Sequence, residues 1–262
     1  MAGYDDDLRF AHVLADAADD ITSRRFRAQD LAVETKPDLT PVTDADRTVE
    51  ETIRGVLRRS RPRDAVLGEE LGQIGIGPRR WVIDPIDGTK NFVRGVPVWA
   101  TLIALMMEDE PVVGVASAPL LGRRWWAARG AGAWTGRSLT KARRCQVSGV
   151  TQLQDASLSY SSLSGWEENG MLEQFVGLSR SVWRNRAYGD FWSHVLVAEG
   201  AVDVAAEPVV SLWDLAAVQV IVEEAGGRFT DLSGAARPDG GSGVATNGHL
   251  HDEVLLLLSG VG

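Results

Sequence analysis

The segment Trp81-Val-Ile-Asp84-Pro-Ile-Asp87-Gly-Thr89-Lys-Asn-Phe92 sets an apolar run against two carboxylates three residues apart. Carboxylates at a strand end offer hard oxygen donors, which suit divalent cations. Pro85 fixes the backbone between them, and Gly88 lets that backbone approach a ligand closely. Thr89 can open a helix, whose first amides suit phosphate. One short segment could therefore hold both a cation and a phosphate. Further carboxylates stand elsewhere: Glu69-Glu70 after Leu67-Gly68, Asp44 in Thr43-Asp44-Ala-Asp46, and Asp214 in Ser211-Leu-Trp-Asp214. Alone, each has a plainer role. Thr43-x-x-Asp46 and Ser211-x-x-Asp214 are helix-capping patterns, Asp44 favours a helix dipole, and two glutamates suit a solvated turn. Their joint occurrence with the Asp84 segment favours a site. The four histidines, His12, His194, His249 and His251, show no metal spacing, and His12 and His194 read as packed or solvated helix residues.

These side chains need elements to carry them. Apolar spacing predicts a helix over 5–28 and a second from about Thr43, with Val49, Ile53, Val56 and Leu57 on one face. Residues 64–70 read as a short strand entering a turn, and 72–79 as a flexible loop. Trp81-Val-Ile is a buried strand ending at Asp84. Strands follow at 98–107 and 112–117, then a Trp-rich hairpin near 125–135 that reads as core or dimer contact. Beyond a strand at 156–161, helices at 190–200, 212–225 and 250–258 alternate with strands at 202–205, 227–231 and 243–246. The runs near 161–170 and 233–243 read as surface loops. The mixture predicts a layered α/β (α+β) architecture.

Of 262 residues, 44% are hydrophobic and 24% charged, enough apolar material for a large core. The net charge of −9 disfavours nucleic acid and anionic membranes as general partners. An anionic substrate then needs local compensation by metal ions or a small basic pocket. Cys145 is the single cysteine, which excludes an internal disulfide and a cysteine-based zinc site. No signal peptide pattern opens the chain, and the apolar run 96–107 is too short to span a bilayer, so the expected location is cytoplasmic.

The Asp84 segment resembles the signature of the inositol monophosphatase family of metal-dependent phosphatases. Lys36-Pro-Asp-Leu-Thr-Pro-Val-Thr-Asp44-Ala-Asp, Leu67-Gly-Glu69-Glu70, and Ser211-Leu-Trp-Asp214-Leu-Ala-Ala followed by Glu224-Ala-Gly-Gly227 resemble its other motifs, in order along nearly the whole chain. The resemblance implies a single compact α-β-α-β-α sandwich over 1–262, with subdomains of about 1–145 and 146–262 sharing the metal site. It implies a homodimer, and about two or three Mg²⁺ ions per site. By position, Glu69, Asp84, the Ile86 carbonyl, Asp87 and Asp214 would be metal ligands. Asp44 would pair with Thr89 near the attacking water, and the amides of Gly88 and Thr89 would hold phosphate. Carboxylates gathered from such distant segments would repel one another unless cations filled the gap, and paired cations can clamp both oxygens of an in-line displacement. Haloacid-dehalogenase-type phosphatases also carry an Asp-Gly-Thr string, but one residue separates their two aspartates; here Pro85 and Ile86 intervene. A non-catalytic phosphate-binding protein on the same fold would not need every ligand and Thr89.

Within the family, Thr35–Arg47, Asp84–Leu105, Ser117–Ala128 and Arg186-Ala-Tyr-Gly-Asp190 resemble the actinobacterial type of histidinol-phosphate phosphatase. Inositol phosphatases tend to have a small or hydroxyl residue where Asp190 stands, and Thr where Lys90 stands. L-Histidinol phosphate carries an ammonium and an imidazole beside its phosphate, and a carboxylate would suit that cation. Asp190 and Glu207 are the candidates, with Arg186 orienting Asp190 or touching phosphate. Inositol 1-phosphate and other small phosphate esters are the alternatives.

Overall fold

The computed structural model describes residues 3–37 and 39–260; Asp38 of the Lys36–Asp46 motif and the four terminal residues of the 1–262 span lie outside them. The first half runs α1 (Asp5–Arg25), β1 (Val33–Thr35), β2 (Pro41–Thr43), α2 (Asp44–Ser60), β3 (Ala65–Gly68), β4 (Gly72–Ile74), β5 (Arg79–Asp87), α3 (Thr89–Arg94), β6 (Ala100–Met107), β7 (Glu110–Ala118), β8 (Arg123–Ala128), β9 (Ala133–Ser138) and β10 (Lys141–Arg144). The second runs β11 (Ser157–Ser159), α4 (Ser164–Glu168), α5 (Leu172–Ser181), β12 (Arg184–Arg186), α6 (Asp190–Ala198), β13 (Val204–Glu207), α7 (Leu212–Glu224), β14 (Arg228–Thr230), β15 (Gly243–Thr246) and α8 (His251–Ser259).

Two large sheets result. One has eight strands in the order β10-β9-β8-β7-β6-β5-β3-β4, the other five in the order β12-β11-β13-β15-β14. Helices α1 and α2 cover the outer face of the first sheet, α6 and α7 lie between the sheets, and α5 and α8 cover the second. The layers are therefore α-β-α-β-α, and each gap between layers holds its own apolar cluster. The burial of each helix follows its sequence. On α1, Ala11, Leu14, Ala15, Ala18 and Thr22 form one buried stripe, the helical spacing of a one-sided helix. On α7 every residue from Leu215 to Val222 is buried, as a helix between two sheets requires.

Several boundaries differ from the sequence expectation. The expected loop 72–79 contains β4, which pairs antiparallel with β3 after Gly72 reverses the chain at φ +67°. Strand β5 continues past Ile83 to Asp87, because Asp87 still pairs with Ala100 of β6. The Ser-rich stretch near 161–170 contains the short helix α4, and α5, β10 and β12 are further elements. Trp125 and Trp126 of the hairpin are buried in the core. No helix among the described residues is long and apolar enough to cross a membrane.

Candidate active site

Strand geometry alone would send Asp84 and Asp87 to opposite faces, since residues an odd number apart alternate. Asp84 pairs with Leu102 and Asp87 with Ala100, so three steps on β5 oppose two on β6. The extra residue is a bulge, and it restores both carboxylates to one side. Pro85 lies within it and has no N–H to leave unpaired, while its carbonyl accepts the Thr101 hydroxyl at 2.8 Å. Asp84 Oδ1 accepts the Ile86 amide at 3.0 Å, and Asp87 Oδ2 accepts the Phe191 amide at 2.6 Å.

Asp214 joins them from the first turn of α7. Its Oδ2 accepts the Ser211 amide at 2.7 Å, so the side chain closes the helix start as well as facing the other acids. One carboxylate oxygen from each of Asp84, Asp87 and Asp214 lies within 4.8 Å of the others, a group able to hold a metal ion. Capping and ligation are thus compatible roles, because a carboxylate has two oxygens. Burial first, and the neighbouring acids next, push Asp84 and Asp87 well above the usual carboxylate range. Burial likewise lifts Asp214 to about 7, with Glu69 adding repulsion, while hydrogen bonds from Ser211 and with Asp84 oppose it. The donors are all hard oxygens, held close at the expense of mutual repulsion, and they fit a divalent cation.

Glu69 stands beside this group rather than in it. Lys36 Nζ bridges Glu69 and Glu70 at 2.7 and 2.6 Å. The charge of Glu69 nevertheless reaches Asp84 and Asp214. The Ile86 carbonyl accepts the Thr89 hydroxyl at 2.8 Å.

Asp44 is not the partner of Thr89. Arg25 Nη2 holds its Oδ2 at 2.7 Å, on the side of α2 facing the end of α1. The acid opposite Thr89 is Asp46, whose Oδ1 lies 3.5 Å from the Thr89 hydroxyl. Asp46 Oδ2 accepts the Thr43 amide and hydroxyl at 2.8 and 2.6 Å, completing the capping box of α2. Asp44 and Asp46 are about 200° apart around the helix, so only one of them can face Thr89. Burial pushes Asp46 up to about 7, opposed by its Thr43 hydrogen bonds.

Asp190 and Glu207 meet at Ser161. Ser161 Oγ accepts the Asp190 amide at 2.9 Å and donates to Glu207 Oε1. Asp190 starts α6 at φ +51° after Gly189 at φ +80°, and its carboxylate lies beside Gly88. A Cβ at Gly88 would lie 3.3 Å from Asp190 Oδ2 and 3.2 Å from the Val98 carbonyl, and Gly88 itself sits at φ +84°. Burial raises both acids, Glu207 to about 8. Arg186 does not join them. It ends the edge strand β12, is exposed, and donates to the Asn185 carbonyl at 2.6 Å. The cation whose charge reaches Asp190 is Lys90. Sequence reasoning gave no role to Ser161, Lys36 or Lys90, and read Asp46 only as a cap.

The sequence profile of the inositol monophosphatase family matches residues 4–259. The chain belongs to this family. As a family member it is a phosphoric monoester hydrolase. It is 65% identical over 259 residues to a histidinol-phosphatase of Streptomyces coelicolor, covering 97% of each chain. It is 62% identical over 255 residues to a histidinol-phosphatase of Mycobacterium tuberculosis, covering 97% of this chain and 98% of that one. Among solved structures, a Thermotoga maritima IMPase superimposes with TM-score 0.87 at 30% identity, covering 98% of both chains. An inositol monophosphatase from Zymomonas mobilis gives TM-score 0.87 at 31% identity, covering 99% of this chain and all of that one. The layered architecture is that of the inositol monophosphatase fold.

Proposed function

We propose that the protein hydrolyses L-histidinol phosphate to L-histidinol and phosphate, in a Mg²⁺-dependent in-line displacement by water. The observation that carries this reading is the meeting of two acidic groups at Asp87: it belongs to the Asp84–Asp87–Asp214 cluster, and the charges of Asp190 and Glu207 reach it from the start of α6 and the end of β13. Similarity to the two actinobacterial histidinol-phosphatases supports the same substrate.

Glu69, Asp84, the Ile86 carbonyl, Asp87 and Asp214 would hold Mg²⁺. When bound, Mg²⁺ supplies positive charge for the phosphoryl oxygens and raises the acidity of water. Thr89 has one hydroxyl proton, now directed at the Ile86 carbonyl. Turned toward Asp46 it would free that carbonyl and leave the Thr89 oxygen to accept from, and so orient, the attacking water. The Gly88 and Thr89 amides would hold the phosphate. Asp190 and Glu207 would accept charge-assisted hydrogen bonds from the substrate's ammonium and imidazole, which an inositol ring cannot offer.

The test is phosphate release with Mg²⁺ from histidinol phosphate, inositol 1-phosphate, fructose 1,6-bisphosphate and adenosine 3′,5′-bisphosphate. A higher kcat/KM for histidinol phosphate is expected; preference for inositol 1-phosphate would defeat the substrate assignment and leave the phosphatase chemistry standing. The same reading makes the protein a homodimer, which light scattering in solution checks.

A further inference from the structure

Glu50 lies one turn beyond Asp46 on the same face of α2, and is fully buried. Its Oε2 accepts the Glu70 amide at 2.8 Å, and its Oε1 accepts the Leu71 amide at 3.2 Å. Arg54, a further turn along, donates Nε to Oε1 at 2.8 Å and Nη2 to the Gly72 carbonyl. A Cβ at Gly68 would fall 2.1 Å from Glu50 Oε1, so the carboxylate fills the space that any side chain at 68 would need. The chain leaving β3 is therefore folded directly over a buried carboxylate and pinned to it by successive amides.

Glu69 sits between these pinned positions. Gly68 precedes it against the Glu50 carboxylate, Glu70 follows it on the Glu50 hydrogen bond, and its own amide donates to the Ile83 carbonyl of β5 at 3.2 Å. Burying an ion pair contributes little to stability by itself, and well-packed apolar residues often do as well. What apolar residues could not do is accept two amides at fixed points. We infer that Glu50 is a positioning residue for Glu69: it fixes the backbone from which that carboxylate reaches a cation. One face of α2 then serves the site twice, through Asp46 toward Thr89 and through Glu50 toward Glu69. The inference rests on the reading of Glu69 as a cation ligand.

The test is Mn²⁺ binding to the metal-stripped protein without substrate, read from the electron paramagnetic resonance of free Mn²⁺. Glu50→Gln keeps one acceptor oxygen and turns an amino group toward the other amide. Its Mn²⁺ Kd should rise about 10–100-fold, the usual cost of losing an outer support of a metal site. The double variant Glu50→Gln/Arg54→Met leaves no unpaired buried charge, so it serves if the single variant does not fold, and it should lose affinity equally. A folded Glu50 variant that binds Mn²⁺ within threefold of wild type, while Asp84→Asn loses binding, would overturn the inference alone. Glu69→Gln binding Mn²⁺ as wild type does would remove the ligand reading beneath it, and the inference with it.

Discussion

The Thr89 hydroxyl faces Asp46 Oδ1 at 3.5 Å, while the other oxygen of the same carboxylate closes the first turn of α2. Asp46→Asn retains an oxygen for the cap but not a charged acceptor for Thr89. It should lower kcat by about 100-fold or more, roughly 3 kcal/mol of barrier. Asp44→Asn breaks only the ion pair with Arg25 and should stay within about threefold of wild type. Steady-state rates of the two variants decide the matter, and the opposite ranking would return the role to Asp44.

Asp214 allows a similar separation. Asn at 214 can still accept the Ser211 amide, so unfolding free energy should change by less than about 1 kcal/mol. Activity should collapse, because one of three clustered anions has gone. Urea denaturation beside a phosphate-release assay reads both. A large loss of stability with activity intact per folded molecule would make Asp214 a cap and nothing more.

Chelation is the direct test of the acidic cluster. EDTA should abolish turnover and Mg²⁺ should restore it. Asp84→Asn should cost on the order of 4 kcal/mol of barrier or more. Full turnover in chelator, or an Asp84→Asn variant within tenfold of wild type, would end the metal-dependent account.

Selectivity should reside in Asp190. Its replacement by Ala should raise KM for histidinol phosphate and spare an ester whose alcohol carries no cation, such as p-nitrophenyl phosphate. One charge-assisted contact is worth roughly 1.5–3 kcal/mol, so the preference should narrow by about tenfold to a hundredfold. An equal slowing of every ester would instead tie Asp190 to the shared scaffold through Gly88.

The buried histidines should contribute a loss of stability in acid, opposite in sign to the gain from the buried acids Asp46, Asp214 and Glu207, whose folded-state values are raised. Burial lowers His12, His194 and His251 from 6.5 to about 4. Between those values the unfolded chain binds more protons at these three sites, so their contribution to stability is complete above pH 6.5 and is lost as pH falls toward 4. Each histidine adds up to about 1.4 kcal/mol per pH unit in that window. Replacing His194 with Leu should lower the slope of unfolding free energy against pH between 6.5 and 4 by about one proton relative to wild type; an identical slope would mean His194 takes up its proton in the folded state as readily as in the unfolded one.

The sequence carried the site's parts better than its pairings. The Asp84–Thr89 string, Glu69 and the two capping boxes were all legible as local patterns, and the family resemblance joined them into one fold. The choice between Asp44 and Asp46 was not legible, since both are first-turn acids and the deciding partner, Arg25, comes from another helix. Arg186 looked available because it neighbours Asp190 in sequence, but a strand end and a chain reversal through Gly189 separate them in space. Strands β4 and β10 escaped notice because edge strands are short and exposed, without a buried face to give a period of two. The bulge in β5 also left no periodic signal, though Pro85 marks where it falls.

Gly114 lies on β7, away from every acid discussed, and a Cβ there would stand 2.3 Å from the Ala217 carbonyl of α7. Ala217 is one turn along from Asp214. The clearance between the sheet and the helix is therefore set by an atom the protein does not have. A methyl at 114 would lift the start of α7 and carry Asp214 out of register with Asp84 and Asp87. Selection on hydrolysis would consequently be felt at a residue with no functional group, and the tolerance of position 114 to change would track turnover more closely than its distance from the chemistry suggests.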